Sequence, residues 1–140
     1  MAKLLIIDDS PEILASMGEF FKRKHFQVVT ANTGLDGLVI LGEGASGIDL
    51  VITDIVMPDI SGIAVISIIK RRFPKLPVIA LTGYGDNAVE LATEQKADIV
   101  LEKPVVLSEV DACVASLLGN GSTSLQQRTN GDGIPTSNRC

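Results

Sequence analysis

Asp49-Leu50-Val51-Ile52-Thr53-Asp54-Ile55-Val56-Met57-Pro58 joins an aliphatic, β-branched run to one carboxylate and a proline turn. The run from Ile48 to Ile52 suits a strand covered on both faces, as the strands of a parallel sheet are. Asp54 then falls at the strand's carboxyl end, the edge at which open α/β sheets hold their ligands. A carboxylate there can be a nucleophile, a metal ligand, or the cap of the next turn. The flanking sequence has to decide.

Outward from this stretch, apolar runs alternate with helical patterns. Strands are expected at Lys3 to Ile7, Gln27 to Thr30, Ile48 to Thr53, Pro77 to Leu81 and Asp98 to Leu101. Between and after them, helices are expected at Pro11 to Lys24, Thr33 to Leu41, Ile63 to Arg72, Asn87 to Gln95 and Leu107 to Leu118. The first helix shows the clearest signals: Ile13, Leu14, Met17, Phe20 and Phe21 recur at helical spacing, Ser10 is placed to cap, and Pro11 suits the first turn. Phe73-Pro74 stops the third helix. Five β-α units give an α/β fold: a doubly wound, five-stranded parallel sheet with right-handed crossovers and helices on both faces. At this size the expected strand order is the flavodoxin-like 2-1-3-4-5, which sets the ends of strands 1 and 3 side by side.

The composition bounds the rest. A chain of 140 residues, 46% hydrophobic and 21% charged, is expected to form one domain over residues 1–118. Residues 119–140 are rich in Gly, Ser, Thr, Asn and Gln, and read as a disordered tail or linker. The net charge is −5, and the only basic clusters, Lys22-Arg23-Lys24 and Lys70-Arg71-Arg72, lie at helix ends where they complement the dipole. This argues against a nucleic-acid partner. The first apolar run ends at Asp8, too short for a signal peptide, and no run approaches the roughly 20 apolar residues of a membrane span. The expectation is a cytoplasmic protein with no membrane partner. Cys113 reads as a small core residue and Cys140 as part of the tail, with no disulfide framework or metal site between them.

The chemistry collects at one edge of this sheet. Strand 1 ends on Asp8-Asp9, strand 3 on Asp54 and strand 4 on Thr82, and strand 5 is followed by Lys103-Pro104. Three neighbouring carboxylates repel, and each tends to protonate unless a cation lies among them. Mg²⁺ suits the set: it is a hard ion satisfied by a few carboxylates, water and phosphoryl oxygens. A nucleophilic carboxylate, a metal, a hydroxyl and an ammonium are what phosphoryl transfer to a carboxylate requires.

Over residues 3 to 118 the sequence resembles the receiver domain of two-component response regulators. The resemblance rests on Leu5-Ile6-Ile7-Asp8-Asp9, Asp54-Ile55-Val56-Met57-Pro58 with Gly62, Leu81-Thr82-Gly83, and Lys103-Pro104, in that order. It implies that Asp54 accepts a phosphoryl group from a histidine kinase or phosphotransfer protein. It also implies that Asp9, Asp54 and the Val56 carbonyl bind Mg²⁺ directly, and Asp8 through water. Thr82 would hydrogen-bond the phosphoryl group and Lys103 would pair with it, beside a Lys103-Pro104 bond in the cis form. The output would be a changed protein-binding surface for a downstream protein that the sequence does not name, from a module that is not a turnover enzyme.

Departures from the family pattern matter as well. Val100 stands where an aromatic residue is common, so the expectation is that loop and helix-4 shifts transmit the signal in place of the usual coupling between threonine and aromatic rotamers. Lys96 occupies a helix end that favours glycine, at a cost of about 1 kcal/mol if its φ is positive. Val105 and Val106 follow the Lys-Pro pair. Together with Val100 they form either an apolar docking or homodimer surface on the helix 4–strand 5–helix 5 face, or ordinary edge packing. Tyr84 and Val56, both bulky and near Asp54, suggest slow self-dephosphorylation. His25 reads as a solvated helix end.

Two other classes remain open. A phosphatase of haloacid-dehalogenase type also uses Asp, Mg²⁺, Thr and Lys, but needs an acid two residues after the nucleophile, where Val56 stands. A flavin binder would meet repulsion between Asp8-Asp9 and the cofactor phosphate.

Overall fold

The computed structural model describes residues 1–42, 47–83 and 88–119. The strands are β1 (Lys3–Ile7), β2 (Gln27–Ala31), β3 (Leu50–Asp54), β4 (Val78–Thr82) and β5 (Ile99–Glu102). The helices are α1 (Pro11–Arg23), α2 (Gly34–Gly42), α3 (Gly62–Arg72), α4 (Ala88–Glu94) and α5 (Leu107–Leu117). All strand pairs are parallel and the order is β2-β1-β3-β4-β5. All ten expected elements are present. β3 starts two residues later than expected, because Ile48 has no ladder partner and Leu4 pairs first with Leu50. β3, β4 and β5 each run one residue further, because Asp54 still pairs with Leu81 and Thr82 with Glu102.

Alternating side chains divide the core between the two faces of the sheet. Leu5, Ile7, Val51, Val78, Ala80 and Val100 pack with residues of α2, α3 and α4, including Leu41, Val65, Ile66, Ile69 and Ala92. Leu4, Ile6, Leu50, Ile52, Ile79, Leu81 and Leu101 pack with Met17 and Phe21 of α1 and Val110, Cys113 and Val114 of α5. Cys113 is fully buried, as expected of a core residue.

Helix ends follow local chemistry. Ser10 caps α1, its Oγ accepting the Ile13 N–H at 3.3 Å, with Pro11 next in line. α1 and α4 both close in Schellman motifs with a left-handed residue that is not glycine. The Phe26 N–H donates to Phe21 and the His25 N–H to Lys22, with His25 at φ +74°. At α4 the Ala97 N–H donates to Ala92 and the Lys96 N–H to Thr93, with Lys96 also at φ +74°. At α1 the apolar contact of Phe21 with Phe26 across the motif offsets the strain, and at α4 Ala97 packs against the buried cluster that includes Ala92. Lys96 thus has the conformation anticipated for it.

The amino edge of the sheet is tied by charge. Lys70 Nζ lies 3.0 Å from Asp98 Oδ2 and donates to the Leu76 carbonyl, and the same Asp98 oxygen accepts the Val78 N–H. The end of α3 and the starts of β4 and β5 therefore meet at one ion pair.

Candidate functional site

The sheet's period of two carries beyond the strand ends. Leu4 and Ile6 lead to Asp8, and Leu50 and Ile52 lead to Asp54, all on the face covered by α1 and α5. Asp8 is fully buried, Asp54 is 4% exposed, and Asp9 is exposed. One carboxylate oxygen from each lies within 4.8 Å of the other two. Lys103 reaches in from the β5–α5 connection, its Nζ 3.3 Å from Asp54 Oδ1 and 3.5 Å from Asp8 Oδ2. The Lys103-Pro104 bond is cis, as expected, and the Lys103 N–H donates to the Thr82 carbonyl at 2.7 Å. The structure therefore brings Asp8, Asp9, Asp54, Thr82 and Lys103 to one edge.

The two buried carboxylates are held by backbone. The Ser10 N–H donates to Asp8 Oδ1 at 2.9 Å, at the start of α1, and the Ile55 N–H donates to Asp54 Oδ1 at 2.8 Å. Burial, and then the charge of Asp8, push the Asp54 carboxyl above its ordinary range. Attraction and hydrogen bonding from Lys103, and the Ile55 N–H, only partly oppose this. Thr82 Oγ1 is buried without a hydrogen-bond partner among the described residues. An unpaired buried hydroxyl costs about 1–3 kcal/mol, so this one is suited to donate to a ligand oxygen.

These observations test the fit of a cation. Three carboxylates face one ammonium, the donors are all hard oxygens, and a neighbouring hydroxyl awaits an acceptor. Such a set suits Mg²⁺ carrying phosphoryl oxygens rather than a soft metal.

The turn after Asp54 is fixed from two sides. The Gly62 N–H donates to the Ile55 carbonyl at 2.7 Å, and a Cβ on Gly62 would overlap the Asp54 carbonyl oxygen and the Ile55 Cα. Only glycine lets α3 begin this close to the carboxylate's own backbone. On the other side, Asp59 accepts the Gly34 N–H at 3.2 Å and the Leu35 N–H at 3.0 Å, capping α2 across the chain. Sequence reasoning missed Asp59, because a cap supplied from 24 residues away leaves no local spacing to find. Val56, between these anchors, has a side chain 70% exposed.

Of the three valines, Val100 is buried in the core cluster beside its ladder partner Ala80, and Val105 is half-buried against the α1–α5 core. Only Val106 is widely exposed, and it begins α5 with no side-chain cap. Of the two alternatives, edge packing therefore holds for Val100 and Val105. Tyr84 lies outside the described residues, as does the chain beyond Gly119.

This chain belongs to the response regulator receiver family, whose model, the response regulator receiver domain, matches residues 4–115. It is a phosphorylation-based signalling domain of the two-component type. It is 33% identical over 137 residues to the transcriptional regulatory protein CpxR of Escherichia coli, covering 97% of this chain and 57% of CpxR. The chain thus spans little more than half of that relative's length. Among solved structures it is similar to a response regulator receiver domain protein from Clostridium thermocellum, with a TM-score of 0.80, 35% identity, and coverage of 88% of this chain and 98% of the other. It is also similar to response regulator TrrA of Thermotoga maritima in complex with Mg²⁺-BeF, with a TM-score of 0.76, 31% identity, and coverage of 84% and 100%.

Proposed function

We propose that Asp54 is the phosphoryl acceptor of this domain and that Mg²⁺, held by Asp9, Asp54 and the Val56 carbonyl with Asp8 through water, supports the transfer. The observation that carries the reading is the orphaned Thr82 hydroxyl beside a buried Asp54 already paired with Lys103. In the reaction a bond forms between an Asp54 carboxylate oxygen and phosphorus, and the bond from phosphorus to the donor nitrogen of a partner histidine breaks. Bound Mg²⁺ supplies charge neutralisation for the phosphoryl oxygens. Lys103 turns from Asp8 and Asp54 to the new phosphoryl charge, and Thr82 donates to one of its oxygens, gaining the partner it lacks.

The reading makes the domain a switch rather than a turnover enzyme. Its donor is a histidine kinase or phosphotransfer protein, and its output is contact with a downstream protein. With Val100 small and buried, the change is carried by the Thr82 loop and α4. A homodimer through the α4–β5–α5 face would draw only Val106 from the three valines. No helix among the described residues is long and apolar enough to cross a membrane. The cytoplasm is the compartment this reading implies. The phosphatase alternative needs an acid where the apolar Val56 side chain stands.

The test is a small-molecule phosphodonor with Mg²⁺, read by intact mass. One phosphoryl group should appear on the wild-type chain and none on Asp54→Asn. Persistence of the adduct in Asp54→Asn, or its absence from wild type, overturns the assignment.

A further inference from the structure

We infer that Asp59 is a positioning residue for the cation site, acting through the β3–α3 turn; this rests on the proposed Mg²⁺ reading. The turn must present the Val56 carbonyl at a fixed place, yet the Val56 side chain is 70% exposed and anchors nothing. Three other contacts hold the turn. Behind Val56, the Gly62 N–H closes onto the Ile55 carbonyl. Met57 is 8% exposed and packs into the α2–α3 core. Ahead of it, Asp59 reaches out of the turn and takes the first two N–H groups of α2, one on each carboxylate oxygen.

The α2 terminus is in turn seated on the turn itself. A Cβ on Gly34 would overlap Ile60 Cγ2 and crowd Val65 Cγ2, and would come within 3.4 Å of Met57 Cε. α2 and the turn are therefore in van der Waals contact, and Asp59 fixes their register. Two orphan donors at a helix start and one carboxylate make a two-point clamp, which sets orientation as well as distance. Without it, the segment between the Ile55–Gly62 latch and α2 keeps apolar contact but loses its directional bonds. The backbone carbonyl at Val56 then samples orientations away from Asp54. Asp59 touches neither the cation nor the phosphoryl group in this scheme.

Charge alone could imitate this effect, since removing any nearby carboxylate weakens cation binding. The test therefore compares Asp59→Ala with Asp59→Asn, which lose the same charge. Asn keeps a carbonyl oxygen able to accept one α2 N–H, whereas Ala keeps none. Mg²⁺ alone is titrated into each protein and followed by calorimetry and by the amide resonances of residues 54 to 60, with the thermal midpoint measured in parallel. Loss of a group supporting a metal ligand typically weakens affinity by about 10-fold or more. Asp59→Ala is expected to lose about 10-fold, and Asp59→Asn no more than about 3-fold. Gly34→Ala, which pushes α2 off the turn, should weaken Mg²⁺ binding as Asp59→Ala does. Equal Mg²⁺ affinities for the Ala and Asn variants, or a drop in thermal midpoint with unchanged affinity, overturn the inference while leaving the Asp54 reading intact. Absence of Mg²⁺ binding by the wild-type chain overturns both.

Discussion

Lys103 Nζ lies between two buried carboxylates, 3.3 Å from Asp54 and 3.5 Å from Asp8, so one ammonium serves both. Removing one partner of a buried charge cluster leaves the remainder uncompensated. Lys103→Met should therefore destabilise the metal-free protein. The lysine side chain is 26% exposed, so solvent screens part of the loss, and about 1–2 kcal/mol is expected rather than the full buried-pair value. Saturating Mg²⁺ should restore most of it, because the cation replaces the missing charge. Urea denaturation with and without Mg²⁺ reads both numbers; equal destabilisation in the two conditions would contradict the cation site.

The raised Asp54 pKa sets a direction for pH dependence. A carboxyl whose folded pKa lies above its unfolded value favours folding in its protonated form. That contribution is complete below the ordinary carboxylate pKa of 3.8, and is lost as pH rises through the raised folded value. In chelator at neutral pH, Asp54→Asn should therefore be more stable than wild type, on the order of 1 kcal/mol as for other relieved functional sites. The gap should shrink as the pH is lowered. Denaturation curves of both proteins across the acid range decide the sign.

Thr82 offers a second stability–function trade. Its hydroxyl is buried and unpartnered, so replacing it with the isosteric Val removes a desolvated polar group without opening a cavity. Thr82→Val should leave the metal-free protein as stable or up to about 1 kcal/mol more stable. Phosphoryl uptake from a small-molecule donor should slow by about 10-fold or more, as when a single oxyanion donor is lost. A loss of stability equal to that of an ordinary core substitution would show that the hydroxyl has a partner after all.

Gly62→Ala addresses backbone rather than charge. The added methyl meets the Asp54 carbonyl and the Ile55 Cα, neither of which can turn aside as a flexible side chain would. A cost of about 2–3 kcal/mol is expected, in the range of overpacked core sites. Phosphoryl uptake should fall even at temperatures where the variant is fully folded by circular dichroism.

Two helix ends invite stabilisation. Lys96→Gly and His25→Gly each place the residue that tolerates a left-handed backbone where φ is +74°. Each should gain up to about 1 kcal/mol, less the extra unfolded-state freedom of glycine. Thermal midpoints of the single and double variants check this, and additivity is expected because the sites belong to separate helices.

Much of this molecule was legible because its signals are local or periodic. Buried parallel strands announce themselves as short aliphatic runs, and Ser10-Pro11 and Phe73-Pro74 punctuate their helices. The strand order then placed Asp8, Asp9, Asp54, Thr82 and Lys103 together, since one parallel sheet has one carboxyl edge. What escaped was non-local. The Asp59 cap on α2 and the Lys70–Asp98 tie join residues 24 to 28 positions apart, with no spacing rule to reveal them. The choice between surface and packing for Val100 and Val105 stayed open too, because a valine beside a loop reads the same whether its neighbour is solvent or a helix. The positive φ at His25 had no warning, for it depends on Phe26 finding Phe21.

The Lys70–Asp98 tie gives the sheet a mechanical polarity. At that end, charge is matched and three elements are bolted to one point. At the opposite end, like charges are crowded and a hydroxyl is left wanting. The two edges of the sheet thus differ in how their charge is balanced. A ligand arriving at the charged edge meets unbalanced charge there, while the opposite edge already has its charges matched.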